Sequence, residues 1–404
     1  MKLRILPVLL CIILAACSHS AAGGELYPEE PQASEIAQHE ETDMTSLSLY
    51  RLGNTYRINK AISKARSGEK TVIAYLGGSI TEGVGGGKDT CYARLSFDSF
   101  NKNYCSGNAE YVNAGLSGTP SELGMLRVQR DVLTYDPDIV FIEFAVNDST
   151  DTLAQQSYES LVRTVLNHKS EPAVILITNR LENGYSAGEH MKAIGEHYDL
   201  TVISPADAIT PEFESGNIKW SDYSDDQSHP NAFGHKLIAG FITYMFCQAE
   251  STPSDGYTVP PNDLYGAVYK DAVMITPDSP VSDMISITDN GSFEPVQLGA
   301  AGFPTSWKSG DGSDPLCAKM HGNSLFVIVK RNKTADMGSF DVYLNGAKVK
   351  AVNTMMKDGW GEAFPVQIIK FQTSRDMDIE IVPSENNDGK TIQILGLAAA
   401  DNGQ

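Results

Sequence analysis

Between about residues 46 and 250, short unbroken apolar runs rich in β-branched residues alternate with stretches whose apolar positions recur at helical spacing. Residues 71–76, 109–113, 138–144, 173–178 and 200–203 are too continuously apolar for strands with one wet face, and they predict buried strands. Between them, residues 152–167 carry Leu153, Leu161, Val162, Val165 and Leu166 along one helical stripe, and residues 230–246 open on Pro230 at a first-turn position. Such alternation predicts right-handed βαβ units and a parallel sheet covered on both faces, with a ligand crevice at the carboxyl ends of its strands. Beyond a linker-like stretch at residues 250–256 the helical period fades. Residues 324–330, 339–344, 365–370 and 377–382 predict short strands separated by turns such as Asn345-Gly346, hence an antiparallel β-sandwich, jelly-roll-like, over residues 257–404.

The beginning of the chain reads differently. Lys2 and Arg4 precede an apolar run over residues 5–16 that is too short to span a bilayer and fits the core of a signal peptide. The run ends in Leu14-Ala15-Ala16-Cys17, which resembles a bacterial lipobox. That resemblance implies removal of residues 1–16, lipidation of Cys17, and an exported lipoprotein at the cell surface or in the periplasm, touching the membrane through its lipid only. Residues 18–45 hold seven acidic residues, no Lys or Arg, Gly23-Gly24, Pro28 and Pro31, the composition of a solvated tether over residues 17–45. The catalytic candidate region is then residues 46–250.

Charge and cysteine usage narrow the classes. Across 404 residues there are 31 Lys+Arg against 51 Asp+Glu, a formal net charge of -20, with no basic stripe to displace counterions from phosphates. No nucleic-acid partner is expected, and no protein partner can be inferred. Apart from Cys11 and Cys17, the cysteines are Cys91, Cys105, Cys247 and Cys317, without a CxxC or Cys/His cluster, so no metal site is expected. Cys91 and Cys105 are close enough in sequence for either a disulfide or two separate thiols.

Candidate chemistry gathers where strands end. The first strand runs into Gly77-Gly78-Ser79-Ile80-Thr81-Glu82-Gly83, placing a serine on a glycine-rich turn at a sheet's carboxyl edge, where its hydroxyl can reach a carbonyl. The second strand leads to Asn113-Ala114-Gly115-Leu116-Ser117-Gly118, and the third to Asn147-Asp148. Far downstream, Asp226 precedes His229 by three residues. Acyl transfer to serine needs a base, a carboxylate to hold that base, and donors for the oxyanion; all are present. Asp222 and Asp225 are alternative loop carboxylates. Asp148 reads as a cap of the helix after its strand, His235 as structural, and Glu82 and Arg127 as solvated surface residues, with substrate contact as their alternative. Trp220 offers either a sugar platform beside the site or core packing, and the same choice applies to Trp307 and Trp360.

Together these four motifs resemble the SGNH hydrolases, the broader set around the GDSL esterases, over about residues 70–247. The resemblance implies a three-layer flavodoxin-like α/β fold and a serine esterase with Ser79 as nucleophile, His229 as base and Asp226 as its orienting carboxylate. It also implies an oxyanion hole from the N–H groups of Ser79 and Gly115 and the Asn147 amide, and no cofactor. GGSIT in place of GDSxT, and AVND in place of GxND, are variants found among carbohydrate esterases. The expected substrate is therefore an O-acetylated glycan. The alternatives are lipase-like or thioesterase activity on other acyl esters, and a non-catalytic glycan-binding lipoprotein.

Overall fold

A computed structural model describes residues 44–401 apart from Ser106, Asp311 and Asn386; the signal segment, Cys17 and residues up to 43 lie outside the described residues. The α/β region runs α1 (Tyr56–Arg66), β1 (Thr71–Gly77), α2 (Ser79–Glu82), α3 (Tyr92–Tyr104), β2 (Ala109–Gly115), α4 (Ser121–Asp131) and β3 (Ile139–Glu143). It continues through α5 (Thr152–Leu166), β4 (Ala173–Ile177), α6 (Gly188–His197), β5 (Thr201–Ile203), α7 (Pro205–Ser215), α8 (Trp220–Tyr223) and α9 (Ala232–Ser251). The five strands are parallel in the order β2-β1-β3-β4-β5, the flavodoxin-like arrangement. Strands β1, β3 and β4 are buried at every position because each face meets helices. Along β1, Val72, Ala74 and Leu76 pack into a core with α4, α5 and α6, while Ile73 and Tyr75 pack with α1, α3 and α9. This is the two-residue alternation of a strand expressed as two separate cores.

Residues 252–272 are a strap and not a free linker. Arg163 on α5 donates to the carbonyls of Pro260 (2.8 Å) and Pro261 (3.0 Å), and the buried Glu159 carboxylate accepts from the N–H groups of Leu264 (2.5 Å) and Tyr265 (2.6 Å). The strap delivers the chain to nine antiparallel strands among the described residues: β6 (Val273–Ile275), β7 (Ile285–Asp289), β8 (Phe293–Val296), β9 (Ser306–Ser309), β10 (Leu316–Asn332), β11 (Ser339–Leu344), β12 (Ala347–Asn353), β13 (Trp360–Pro383) and β14 (Gln393–Ala400). The long strands β10 and β13 serve two layers. Before a register shift between Gly322 and Ser324, β10 pairs with β7; after it, β10 pairs with β14.

The β-domain has its own core around Trp307, Leu325 and Phe340, so Trp307 is a packing residue, 1% exposed. Its other inner face joins the α/β core. Phe326, Ile328, Ala363, Leu395, Ala398 and Ala400 pack in one continuous cluster with α4 and α5 residues such as Leu123 and Tyr158. The halves are thus fused by a shared apolar interior. Cys91 and Cys105 cap opposite ends of α3, which at about 1.5 Å per residue keeps them roughly 20 Å apart, far beyond disulfide reach. None of the four cysteines among the described residues forms a disulfide.

Candidate active site

The carboxyl end of β1 turns sharply because its glycines leave no room for side chains. A Cβ on Gly77 would fall 2.1 Å from Thr81 Oγ1, and one on Gly78 would fall 2.3 Å from Asn147 Oδ1. Glycine at position 78 thus lets the Asn147 side chain lie directly against the turn. Ser79 follows directly, and its Oγ lies 2.9 Å from His229 Nε2.

His229 is held by a tight loop after α8. Asp226 Oδ2 accepts from His229 Nδ1 at 2.7 Å, and Oδ1 accepts from the backbone N–H groups of Ser228 (2.6 Å) and His229 (2.7 Å). Partial burial pushes the Asp226 carboxyl up, but the hydrogen bonds from His229 and from these backbone donors outweigh it and hold the group below its ordinary value. Ser79, His229 and Asp226 therefore form one hydrogen-bonded chain. The other loop carboxylates point elsewhere: Asp222 accepts from Lys219 N (2.9 Å) at the start of α8, and Asp225 accepts from the Asn231 amide (3.4 Å).

Of the donors expected from the resemblance, one is already engaged. Gly115 is the last residue of β2, and its N–H donates to Asn113 Oδ1 (2.8 Å), so it is not free for a ligand. Gly118 lines the pocket instead, with φ +69° and an N–H that has no acceptor among the described residues. Asn147 also lines the pocket. Its Oδ1 is buried against Gly78, which leaves Nδ2 as the donor facing the pocket.

Several polar groups hold this edge together. Glu82 is not a solvated residue: Oε2 accepts from Ser117 N (2.9 Å) and Ser117 Oγ (2.5 Å), fixing the turn that carries Gly118. Arg127, 2% exposed, donates to the Gly77 carbonyl (3.1 Å) and to Asp131 (3.0 Å) beneath the turn that carries Ser79, so it too is not a surface residue. Asp148 caps a different helix from the one expected, accepting from Ser121 N (2.7 Å) at the start of α4, while Asp151 caps α5 through Ala154 N (2.9 Å). His235 is structural, accepting from Tyr92 N (3.1 Å) and bonding the Val84 carbonyl (3.0 Å). Sequence reasoning missed Glu143 at the end of β3. It accepts from Thr81 Oγ1 (3.3 Å), and burial pushes its carboxyl up to about 7.

These groups surround a cavity of about 440 Å³ lined by Ser79, Val84, Gly118, Val146, Asn147, Leu181, His229 and Trp360. Trp220 is not among them. Its ring packs against Phe213 and Tyr223, and its Nε1 donates to the Asp226 carbonyl (2.5 Å), so it supports the histidine loop and offers no platform. The aromatic wall is Trp360 of the β-domain, 58% exposed, whose ring lies so close to Gly118 that a Cβ there would fall 1.9 Å from Cη2. In the sequence Gly118 was marked only as a glycine three residues before the start of α4, and Trp360 only as an aromatic open to either a platform or a packing role.

Comparison with known proteins adds to this geometry. Residues 75–237 match the profile of the GDSL-like lipase/acylhydrolase family. No curated protein sequence matches significantly. Among solved structures, a two-domain esterase active on acetylated mannans, co-crystallised with mannopentaose, is 26% identical with a TM-score of 0.78, covering 88% of this chain and 98% of that one. A second structure of a two-domain esterase active on acetylated mannans is 25% identical with a TM-score of 0.79 and the same coverage. Over residues 75–237 the chain thus carries the pattern of the GDSL-like lipase/acylhydrolase family on an SGNH-type α/β fold, and these likenesses support an esterase.

Proposed function

We propose that the protein removes O-acetyl groups from a glycan through an acyl-enzyme on Ser79, with acetylated mannan as the leading substrate. The observation that carries this reading is the 2.9 Å contact between Ser79 Oγ and His229 Nε2 in a pocket that also contains an exposed tryptophan from the second domain. Ser79 Oγ attacks the ester carbonyl while His229 Nε2 takes its proton, and Asp226 stabilises the imidazolium that forms. The developing oxyanion is met by the N–H groups of Ser79 and Gly118 and by Asn147 Nδ2. His229 then protonates the departing sugar oxygen as the C–O bond breaks, and afterwards deprotonates the water that releases acetate from acetyl-Ser79.

The substrate class rests on three supports. An indole face suits the C–H face of a pyranose. A protein with net charge -20 repels polyanions more than neutral glycans. The similar two-domain structures, covered almost completely, act on acetylated mannans. Acetate release by the full chain from acetylated mannan, acetylated xylan and p-nitrophenyl acetate tests the reading. Mannan is expected to give the highest kcat/KM, and Ser79→Ala is expected to lose at least about 10³-fold on all three. Wild-type rates in Ser79→Ala would overturn the acyl-enzyme, and activity confined to the small ester would overturn the glycan.

A further inference from the structure

Trp360 is the first residue of β13, and its exposed ring is held from within the β-domain. In the pairing with β10, Arg331 faces Glu362 and Asn332 faces Trp360, so Gly361 is an extra residue on one strand, with φ +103°. That is a β-bulge with glycine in a positive-φ conformation, a device that turns a side chain out of the strand's ordinary alternation. Beside it lies the Glu362 carboxylate, 5% exposed. Its Oε2 accepts from the Trp360 N–H (2.8 Å), and its Oε1 accepts from Arg331 Nε (3.2 Å). The Arg331 guanidinium in turn lies over the Phe364 ring, 3.3 Å from its centroid.

This arrangement exceeds what strand pairing requires. A buried carboxylate is costly unless both oxygens are satisfied. Here one oxygen is satisfied by a guanidinium fixed on an aromatic face and the other by the backbone of the residue that reaches across to Gly118. We propose that the Gly361 bulge and the Arg331–Glu362 pair are positioning elements that hold the Trp360 indole over Gly118, and that they set the preference for glycan-borne over free acetyl esters. The inference rests on the reading that Trp360 contacts the sugar. An unfixed indole would have to be ordered on each binding event, at about 0.5–1.5 kcal/mol per side chain, which is up to about 10-fold in affinity.

The test uses the full chain and two substrates, an acetylated manno-oligosaccharide and p-nitrophenyl acetate. Glu362→Met removes the acceptor while keeping the volume. It is expected to raise the oligosaccharide KM and so lower the ratio of oligosaccharide to small-ester kcat/KM by about 10-fold, with kcat on the oligosaccharide changed much less. Tryptophan emission should shift in Glu362→Met and not when the same change is made in a Trp360→Phe background. The double variant Arg331→Met/Glu362→Gln leaves no unpaired buried charge but restores an oxygen for the Trp360 N–H, and it should recover the ratio, which a merely structural role would not produce. If Glu362→Met does not fold, Gly361→Ala asks the same question by straining the bulge. An unchanged ratio in these variants, alongside a raised KM in Trp360→Ala, overturns the positioning role alone. An unchanged KM in Trp360→Ala overturns the sugar contact on which it rests.

Discussion

Two walls of one pocket are made in different ways. The catalytic wall consists of Ser79, Gly118, Asn147 and His229, each at the carboxyl edge of the α/β sheet, and polar groups behind it hold that edge: Glu82 under Ser117, Arg127 under Gly77, Asp148 under Ser121. The opposite wall is one indole, brought from the β-domain by a bulge and seated by an apolar interior that the two halves share. The first wall is adjusted to reacting atoms, the second to whatever carries the ester. Chemistry and specificity can thus be perturbed separately, although the domains cannot be parted without exposing the shared core.

The largest expected effect is on the catalytic wall. Asn147→Ala removes a donor from the oxyanion site and should lower kcat by about 10²–10³-fold for manno-oligosaccharide and p-nitrophenyl acetate alike, because both develop the same negative charge. Steady-state kinetics on the two esters decide it. A loss confined to the glycan would place Asn147 with the second wall and break the comparison.

A smaller effect concerns the buried carboxyls behind each wall. Glu362 has a guanidinium partner, whereas Glu143 has the hydroxyl of Thr81 and no ion pair, and burial lifts it to about 7. In the unfolded chain the same group titrates at about 4.3, so between these values the folded state holds the proton more tightly. Its contribution to stability is whole below about pH 4 and is lost as the pH rises through about 7, on the order of 3 kcal/mol at full extent. Glu143→Gln, neutral throughout, should flatten the fall in Tm between pH 5 and pH 8. An equally steep fall in the variant would show that another group, such as Glu122, also lifted to about 7, carries the dependence.

The two walls were unequally legible in the sequence. The sheet and the triad could be read because in a parallel sheet each motif sits at a strand end, so order along the chain maps onto position along one edge. The donor could not be chosen between Gly115 and Gly118 within the same motif, since both are glycines and residue type does not show which N–H is already bonded. Glu82 and Arg127 looked like surface residues because helical periodicity cannot show that a carbonyl or a turn beneath needs a donor or acceptor. Strand β14 escaped notice because its small residues have weak strand preference; it is a strand because cores lie on both of its faces. Trp360 could be named as a platform candidate but not placed beside Ser79, because its position depends on the docking of two domains.

The smallest expected effect separates the walls at Trp220, which sequence reasoning left open between a sugar platform and core packing. Trp220→Phe keeps the ring packing against Phe213 and Tyr223 but removes the Nε1 hydrogen bond to the Asp226 carbonyl. Asp226 is exposed, so water can take the place of the lost donor, and the net cost should be about 1 kcal/mol. Because the loop it steadies carries both Asp226 and His229, the loss should appear as a several-fold lower kcat on both substrates, with the oligosaccharide KM and the ratio between substrates unchanged. A raised KM for the glycan alone would instead make Trp220 a sugar contact, and the second wall would then have members on both domains.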